Sequence, residues 1–408
     1  MYRYLPRLLP IFLSIIIAIT SSAVTPQQAV DEFVRSSGVD STKIGILITD
    51  LRSGQRIAEY GASRSLVPAS VMKASTTGAL LAIAGPSQRY HTKVYTRGRT
   101  INSILDGDLL VVASGDPTLN HNPDFEGTDF IKEIVDALEN EGIDKIRGKI
   151  VIDNSVFEGP DIPSSWQRGD LAHYYGAPCR ALNFEGNRTG RRAVTDPEAL
   201  FRSRLHTALT KAGIEIEEKG LPGGALHLLV DHASAAYEDI MRSCMMRSDN
   251  LYAEAMLRTL ARRLNAPGST EAGAREAAKV WKKRDIPLSG VCIVDGSGLS
   301  RSNRLTAAFL TGILTDMADN VEYASFFPLA GQEGTLKTFL ADTPLDSYVA
   351  LKTGSMNGIQ SYAGYLLDED FAPTHSIVVI SNNLKDRNKM RSDLEKCLLE
   401  IFVSQNPN

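Results

Sequence analysis

The stretch PASVMKAS, residues 68–75, places a serine and a lysine three apart, behind Pro68 and at the head of an apolar run. On a helix that spacing brings Ser70 and Lys73 onto one face, a turn apart. Two readings fit the pair: a surface contact without chemistry, or a nucleophile with its own base. What the rest of the chain supplies decides between them.

Just upstream, IGILITD (44–50) alternates and is rich in β-branched residues, RSGQ supplies a turn and RIAEY returns, which predicts a hairpin. SVMKASTTGALLAIAG (70–85) predicts a helix closed by Gly85-Pro86. At the far end YVALKTG (348–354), IQSYAGYLL (359–367) and HSIVVISNN (375–383) predict three strands. From about Asp386, Met390, Leu394, Cys397, Leu398 and Ile401 mark one side of a helix. Strands at both ends with helices between predict an α+β fold whose antiparallel sheet is completed by both termini. From about Tyr90 to His232 the texture changes: LLVVAS, KIVIDNS and LHLLV alternate with helical stretches near 128–141 and 197–213. This predicts an inserted α+β domain over 90–232, of one or two lobes, within a main domain of 24–89 and 233–408. Helical patterns return over 237–264 and 269–283.

The 408 residues are 43% hydrophobic and 23% charged, an ordinary globular composition that excludes collagen, coiled coil and disorder. MYRYLPR, the apolar LLPIFLSIIIAIT and the small residues of SSA have the layout of a secretory signal peptide, residues 1–23. The apolar core is short for a bilayer span, so cleavage after Ala23 is expected, leaving no stable membrane anchor and an exported, periplasmic or cell-envelope chain. Losing Arg3 and Arg7 takes the formal charge from −4 to −6, with 42 basic against 48 acidic side chains. With no basic block, nucleic acid is not an expected partner. Four cysteines permit two disulfides in three pairings, but Cys292 in GVCIV and Cys397 on the apolar helical stripe read as buried free thiols.

Ser70-Val-Met-Lys73 is the only S-x-x-K in the chain and Lys352-Thr353-Gly354 the only K-T-G. Ser248-Asp249-Asn250 falls in a loop between two helical runs, where side chains can face a cleft. Each alone reads equally as a cap, a turn or a strand end. Together, in this order and each on the element its role needs, they point to serine acyl transfer. The rival constellations fail: G-x-S-x-G, H-E-x-x-H and Walker A are absent, GSGLSR (296–301) reads as a turn, and the seven histidines are scattered. Neither a metal nor a cofactor is implied.

With SGDPTL (114–119), VIDNSVFEGP (151–160), YGAPCRALNFEGN (175–187), DGSGLSR (295–301) and LAGQEGTL (329–336), the trio resembles the class C low-molecular-mass penicillin-binding proteins, the D-alanyl-D-alanine carboxypeptidase/endopeptidase family. The resemblance spans nearly the whole chain after residue 23. It implies a penicillin-binding-protein/β-lactamase-like transpeptidase domain interrupted by the insertion. It also implies hydrolysis of peptidoglycan stem peptides through an acyl-enzyme on Ser70, with β-lactams as covalent inhibitors. Lys73 would act as base, its pKa lowered by burial and by Lys352. Ser248 would relay the proton to the leaving amine, and Asn250 would hold the substrate amide. The N–H groups of Ser70 and Ser355 would form an oxyanion hole, and Lys352, Thr353, Gly354 and Ser355 would bind the terminal carboxylate. VIDNSVF reads as a strand running into a turn, and in the resembled family an acid of this block meets the free amine of the third stem residue. That role falls to Asp153, with Met356 flanking the subsite. Two alternatives remain: a β-lactamase, for which no E-x-x-L-N block is found, and a non-catalytic β-lactam receptor or wall-binding scaffold.

Overall fold

The computed structural model describes residues 24–121, 129–219 and 224–403; the segment read as a signal peptide lies outside them. The first element, α1 (Pro26–Ser36), was not anticipated, although its start is written in the sequence. Thr25 accepts from the Gln28 N–H while Gln28 answers to the Thr25 N–H, and Pro26 opens the first turn. α1 buries Ala29, Val30, Phe33 and Val34. The expected hairpin follows as β1 (Ile44–Asp50) and β2 (Arg56–Tyr60). A 3-10 turn, Ala69–Val71, then leads into α2 (Met72–Ala84), which is buried on every side from Met72 to Leu81.

The next elements are β3 (His91–Ile101), β4 (Ile104–Val112), α3 (Phe130–Asn140), β5 (Lys145–Ile146), β6 (Ile150–Asp153), β7 (Arg188–Thr189), β8 (Arg192–Ala193), α4 (Pro197–Lys211), β9 (Glu215–Ile216) and β10 (Leu226–Ala233). They build a six-stranded sheet in the order β10-β3-β4-β5-β9, with β6 paired in parallel to β4, and β7-β8 form a separate hairpin. Phe130, Ile134 and Leu138 of α3, and Phe201, Leu205 and Leu209 of α4, recur every four residues and pack into one core beneath this sheet. β3 was not expected, because its threonines, lysine and arginines hide the alternation.

The chain continues as α5 (Tyr237–Arg247), α6 (Asn250–Arg263), α7 (Thr270–Lys283), α8 (Ala307–Asp316), α9 (Val321–Ser325), β11 (Val349–Met356), β12 (Ile359–Leu367), β13 (Pro373–Asn382) and α10 (Arg387–Phe402). The main sheet has the order β11-β12-β13-β1-β2, antiparallel, with Ile44 opposite Ser381. Both termini complete it, as expected. Ile44, Ile46 and Ile48 face the layer of α1 and α10, whereas Leu47 points to the layer of α2 and α8. A sheet covered on both faces needs the near-continuous apolar strands that β1 and β13 carry. α6 joins the two halves: Leu251 and Ala255 enter the core of the second sheet, while Tyr252, Met256 and Leu260 enter that of the first.

All four cysteines are free thiols. Cys397 is buried on α10 as expected, but Cys292 is exposed. Its backbone exchanges two hydrogen bonds with Arg304 in an isolated bridge, so only one strand neighbours it and its side chain turns to solvent.

Candidate active site

Ser70 stands on the 3-10 turn ahead of α2, behind Ala69 at φ 51°, a backbone region costly for a residue with a Cβ. Two glycines hold this turn. Gly298, at φ 83°, packs where a Cβ would collide with the Ala69 carbonyl oxygen. At Gly354 a Cβ would stand 2.7 Å from the Pro68 oxygen and 3.0 Å from the Ser70 nitrogen, so only glycine lets β11 lie this close to the serine.

One turn along α2, Lys73 is fully buried. Its Nζ lies 3.1 Å from Ser70 Oγ, 2.7 Å from Asn250 Oδ1 and 2.8 Å from the Ser297 carbonyl oxygen. Burial lowers its pKa, against the opposing pull of the Cys244, Asp249, Asp295 and Glu254 side chains. A neutral amine has two N–H donors and one lone pair. Two of its three partners are carbonyl-type acceptors; the third, the Ser70 hydroxyl, can donate. An uncharged Lys73 could keep both N–H donors on those acceptors and accept from the Ser70 hydroxyl.

The Ser297 carbonyl is aimed by a buried scaffold that the sequence reading treated as a plain turn. Glu254, on α6, accepts from the N–H groups of Gly296 and Ser297 at 3.1 and 2.8 Å. Burial and the neighbouring Asp295 raise its pKa to about 7, and its second oxygen has no hydrogen-bond partner among the described residues. Asp295 accepts from the Gly298 and Ser300 N–H groups, from Asn303, and from the Trp166 indole at 2.8 Å. Trp166 comes from the long loop between β6 and β7, which is thereby tied to the turn under Lys73.

β11 forms the other wall. On the side away from β12, Val349 and Leu351 exchange backbone hydrogen bonds with Ala330 and Pro328. By the two-residue period of a strand, the Thr353 and Ser355 N–H groups also point away from β12, toward the cleft. Lys352 is fully buried, its Nζ bonded to the Thr353 carbonyl oxygen at 2.9 Å. Burial and then repulsion from Lys73 lower its pKa to about 7. Thr353 Oγ1 donates to Thr335 at 2.7 Å, and Met356 ends the strand.

Ser248 caps α5 in the left-handed conformation, φ 59°, and Asp249 caps α6 by accepting from the Tyr252 N–H. This tight reversal delivers Asn250, whose Nδ2 donates to the Tyr175 carbonyl oxygen at 2.8 Å. Ser248 and Asn250 line one cavity with Tyr174, Tyr175, Arg188 and Arg191.

Asp153 is not at this site. Parallel pairing with Val112 leaves it at the end of β6, where its carboxylate accepts from the Ser155 N–H two residues on. The turn that follows packs at the C-terminal end of α6, beside Thr259 and Arg262, ~14–18 Å along the helix from Asn250. Within the loop 154–187, Asp170 accepts from the hydroxyl of Tyr175, a residue that lines the cavity beside Asn250, at 3.4 Å.

The sequence pattern of the D-Ala-D-Ala carboxypeptidase 3 (S13) family matches residues 26–191 and 187–398. Carboxypeptidase DacB of Mycolicibacterium smegmatis is 28% identical over 395 residues, covering 90% of this chain and 83% of the relative. The crystal structure of penicillin binding protein 4 (dacB) from Haemophilus influenzae superposes with a TM-score of 0.78 at 22% identity, over 91% of this chain and 99% of that one. The same protein complexed with a novel β-lactam gives 0.72 at 23% identity, over 91% and 98%.

Proposed function

The chain belongs to the D-Ala-D-Ala carboxypeptidase 3 (S13) family and is a serine-type D-alanyl-D-alanine carboxypeptidase acting on peptidoglycan; from that premise we propose that Ser70 is its acylated nucleophile and Lys73 the base. The observation that carries this assignment is the trio of partners around Lys73 Nζ. With two N–H donors taken by Asn250 and Ser297, the lone pair removes the Ser70 proton as Oγ attacks the penultimate D-alanine carbonyl. The N–H groups of Ser70 and Ser355 stabilise the oxyanion. The proton then passes from Lys73 through Ser248 to the departing amine, and water later releases the acyl group.

Lys352, Thr353 and Ser355 bind the carboxylate of the terminal residue. An arriving carboxylate favours charged Lys352, so binding draws its proton on. Met356 supplies apolar surface further along β11. Asp170, held by Tyr175 beside Asn250, reads the free amine of the third stem residue in place of Asp153. The same acyl step opens D-alanyl cross-bridges when the leaving amine belongs to a second stem. The sequence layout of residues 1–23 supports export to the periplasmic side of the cell envelope.

Fluorescent penicillin labelling combined with D-alanine release tests this reading. The expected outcome is stable label on Ser70, absent in Ser70→Ala, together with turnover of pentapeptide. Fast hydrolysis of the penicillin would mark a β-lactamase, and label without release a receptor.

A further inference from the structure

At the C-terminal end of α6, remote from Ser70, a cavity of about 460 Å³ opens between the main body and the second sheet. Three arginines reach it: Arg89 from the segment entering β3, and Arg262 and Arg263 from the last turn of α6. No carboxylate lines the cavity. The Arg262 guanidinium makes no hydrogen bond or ion pair among the described residues. Among the same residues the Arg89 guanidinium donates only to the Ser234 carbonyl oxygen, and that of Arg263 only to Gln88 Oε1 and the Tyr237 hydroxyl. His91, on the same rim, has its own acid in Asp231.

Elsewhere the arginines divide: Arg97, Arg180, Arg204 and Arg284 meet carboxylates, whereas Arg64, Arg304 and Arg387 donate to backbone carbonyls instead, so what marks this rim is three guanidinium groups converging on one cavity. Acids outnumber bases, 48 to 44, yet these three cations have no counter-ion among the described residues. A basic last turn complements the helix dipole and would account for Arg262 and Arg263. It does not account for Arg89, which comes to the same rim from another segment. The floor is a formed surface: Tyr90 and Tyr237, both nearly fully buried, have ring centroids 4.9 Å apart, and the Tyr90 hydroxyl lies 3.1 Å from Thr259 Oγ1. Guanidinium groups above an apolar floor suit carboxylates carried on a peptide.

The cavity is too far away to serve the peptide being cut. Thr259 to Arg263 lie ~14–20 Å along α6 from Asn250. The three residues ahead of the terminal pair extend only ~10 Å. We infer that this cavity is an exosite for the free carboxylates of a neighbouring stem peptide on the same polymer, an inference that rests on peptidoglycan being the substrate.

The test compares D-alanine release from a soluble pentapeptide and from intact sacculi, for the wild type and for Arg262→Gln/Arg263→Gln. The sacculus rate should fall roughly fivefold or more, the scale of two exposed ion pairs, with the soluble rate within about twofold. The wild-type sacculus rate should also fall steeply with added salt, and that of the variant only weakly. Equal losses on both substrates, or no loss on sacculi, overturn the exosite. Arg89→Gln, with an unchanged melting transition, should repeat the split from the opposite wall; a loss confined to the α6 pair also overturns it. Co-sedimentation with insoluble sacculi reads the exosite without turnover. A wild type that sediments but releases no D-alanine and takes no penicillin breaks the catalytic reading and leaves the exosite standing. Sedimentation abolished by stripping phosphate polymers from the sacculi would assign the cavity to phosphate and overturn the carboxylate.

Discussion

The two ends of α6 hold positive charge in opposite ways. At its N-terminus Asn250 meets Lys73, and Lys352 lies nearby, both lysines fully buried and pushed toward the neutral form. At its C-terminus Arg262 and Arg263 are exposed to water. The difference lies in hydration as much as in residue type. An ammonium stripped of water gives up its proton and becomes a base, whereas a hydrated guanidinium can only attract. One helix thus separates proton transfer from anion attraction by its own length.

The severest way to break this contrast is Lys73→Arg, which puts a group that cannot deprotonate in the dry end. Acylation by penicillin should fall ~10²-fold or more, the scale of lost general-base catalysis. Undiminished stopped-flow acylation would reduce Lys73 to an electrostatic partner.

A second substitution asks which acid reads the substrate. Asp170→Asn should lower kcat/KM roughly tenfold for peptides with a free amine on the third residue, leaving acetylated peptides and penicillin nearly unchanged. Asp153→Asn should leave that discrimination where it was.

The scaffold beneath Lys73 gives the next effect. Glu254→Ala leaves two buried N–H groups without an acceptor, costing ~1–3 kcal/mol in denaturant unfolding. Acylation should slow roughly fivefold as the Ser297 carbonyl drifts, a loss equivalent to ~1 kcal/mol of barrier. Glu254→Gln keeps an acceptor oxygen and should restore most of the rate; failure to do so would mean that charge, not position, is what Glu254 supplies.

The smallest effect is a pH dependence. With its pKa lowered to about 7, Lys352 is charged below that pH and neutral above it in the free enzyme. Preference for peptides ending in a carboxylate over their amides should thus be greatest below about pH 7 and decline above it. Lys352→Arg should flatten that ratio. A wild-type preference constant from pH 5 to 9 would show that Lys352 keeps its proton in the dry site.

Much of this was legible where the chemistry is local. Ser70 and Lys73 are one helical turn apart, and Lys352-Thr353-Gly354 ends a strand, so spacing alone carries both. The hairpin β1-β2, the three C-terminal strands and α10 declared themselves by apolar period. The third partner of Lys73 did not, because a backbone carbonyl has no residue signature: the Ser297 oxygen is aimed by Glu254, far off in sequence. Asp153 misled for a related reason. A strand end invites an acid over a cleft, but the parallel pairing of β6 with β4, which sends that end toward the C-terminal end of α6, is set by contacts between distant segments. Asp170 sits in an irregular loop with no period to mark it.

The strand order β13-β1-β2 also fixes when this enzyme can come into being. β1 is an inner strand of its sheet, yet one of its two partners, β13, begins at Pro373. At ~5–20 residues per second, synthesis leaves β1 waiting roughly 15–65 s for that neighbour. Until then the sheet has an open apolar edge and Ser70 has no strand β11 beside it. The nascent chain therefore emerges catalytically inert and unclosed, and becomes an enzyme only once its last strands are made.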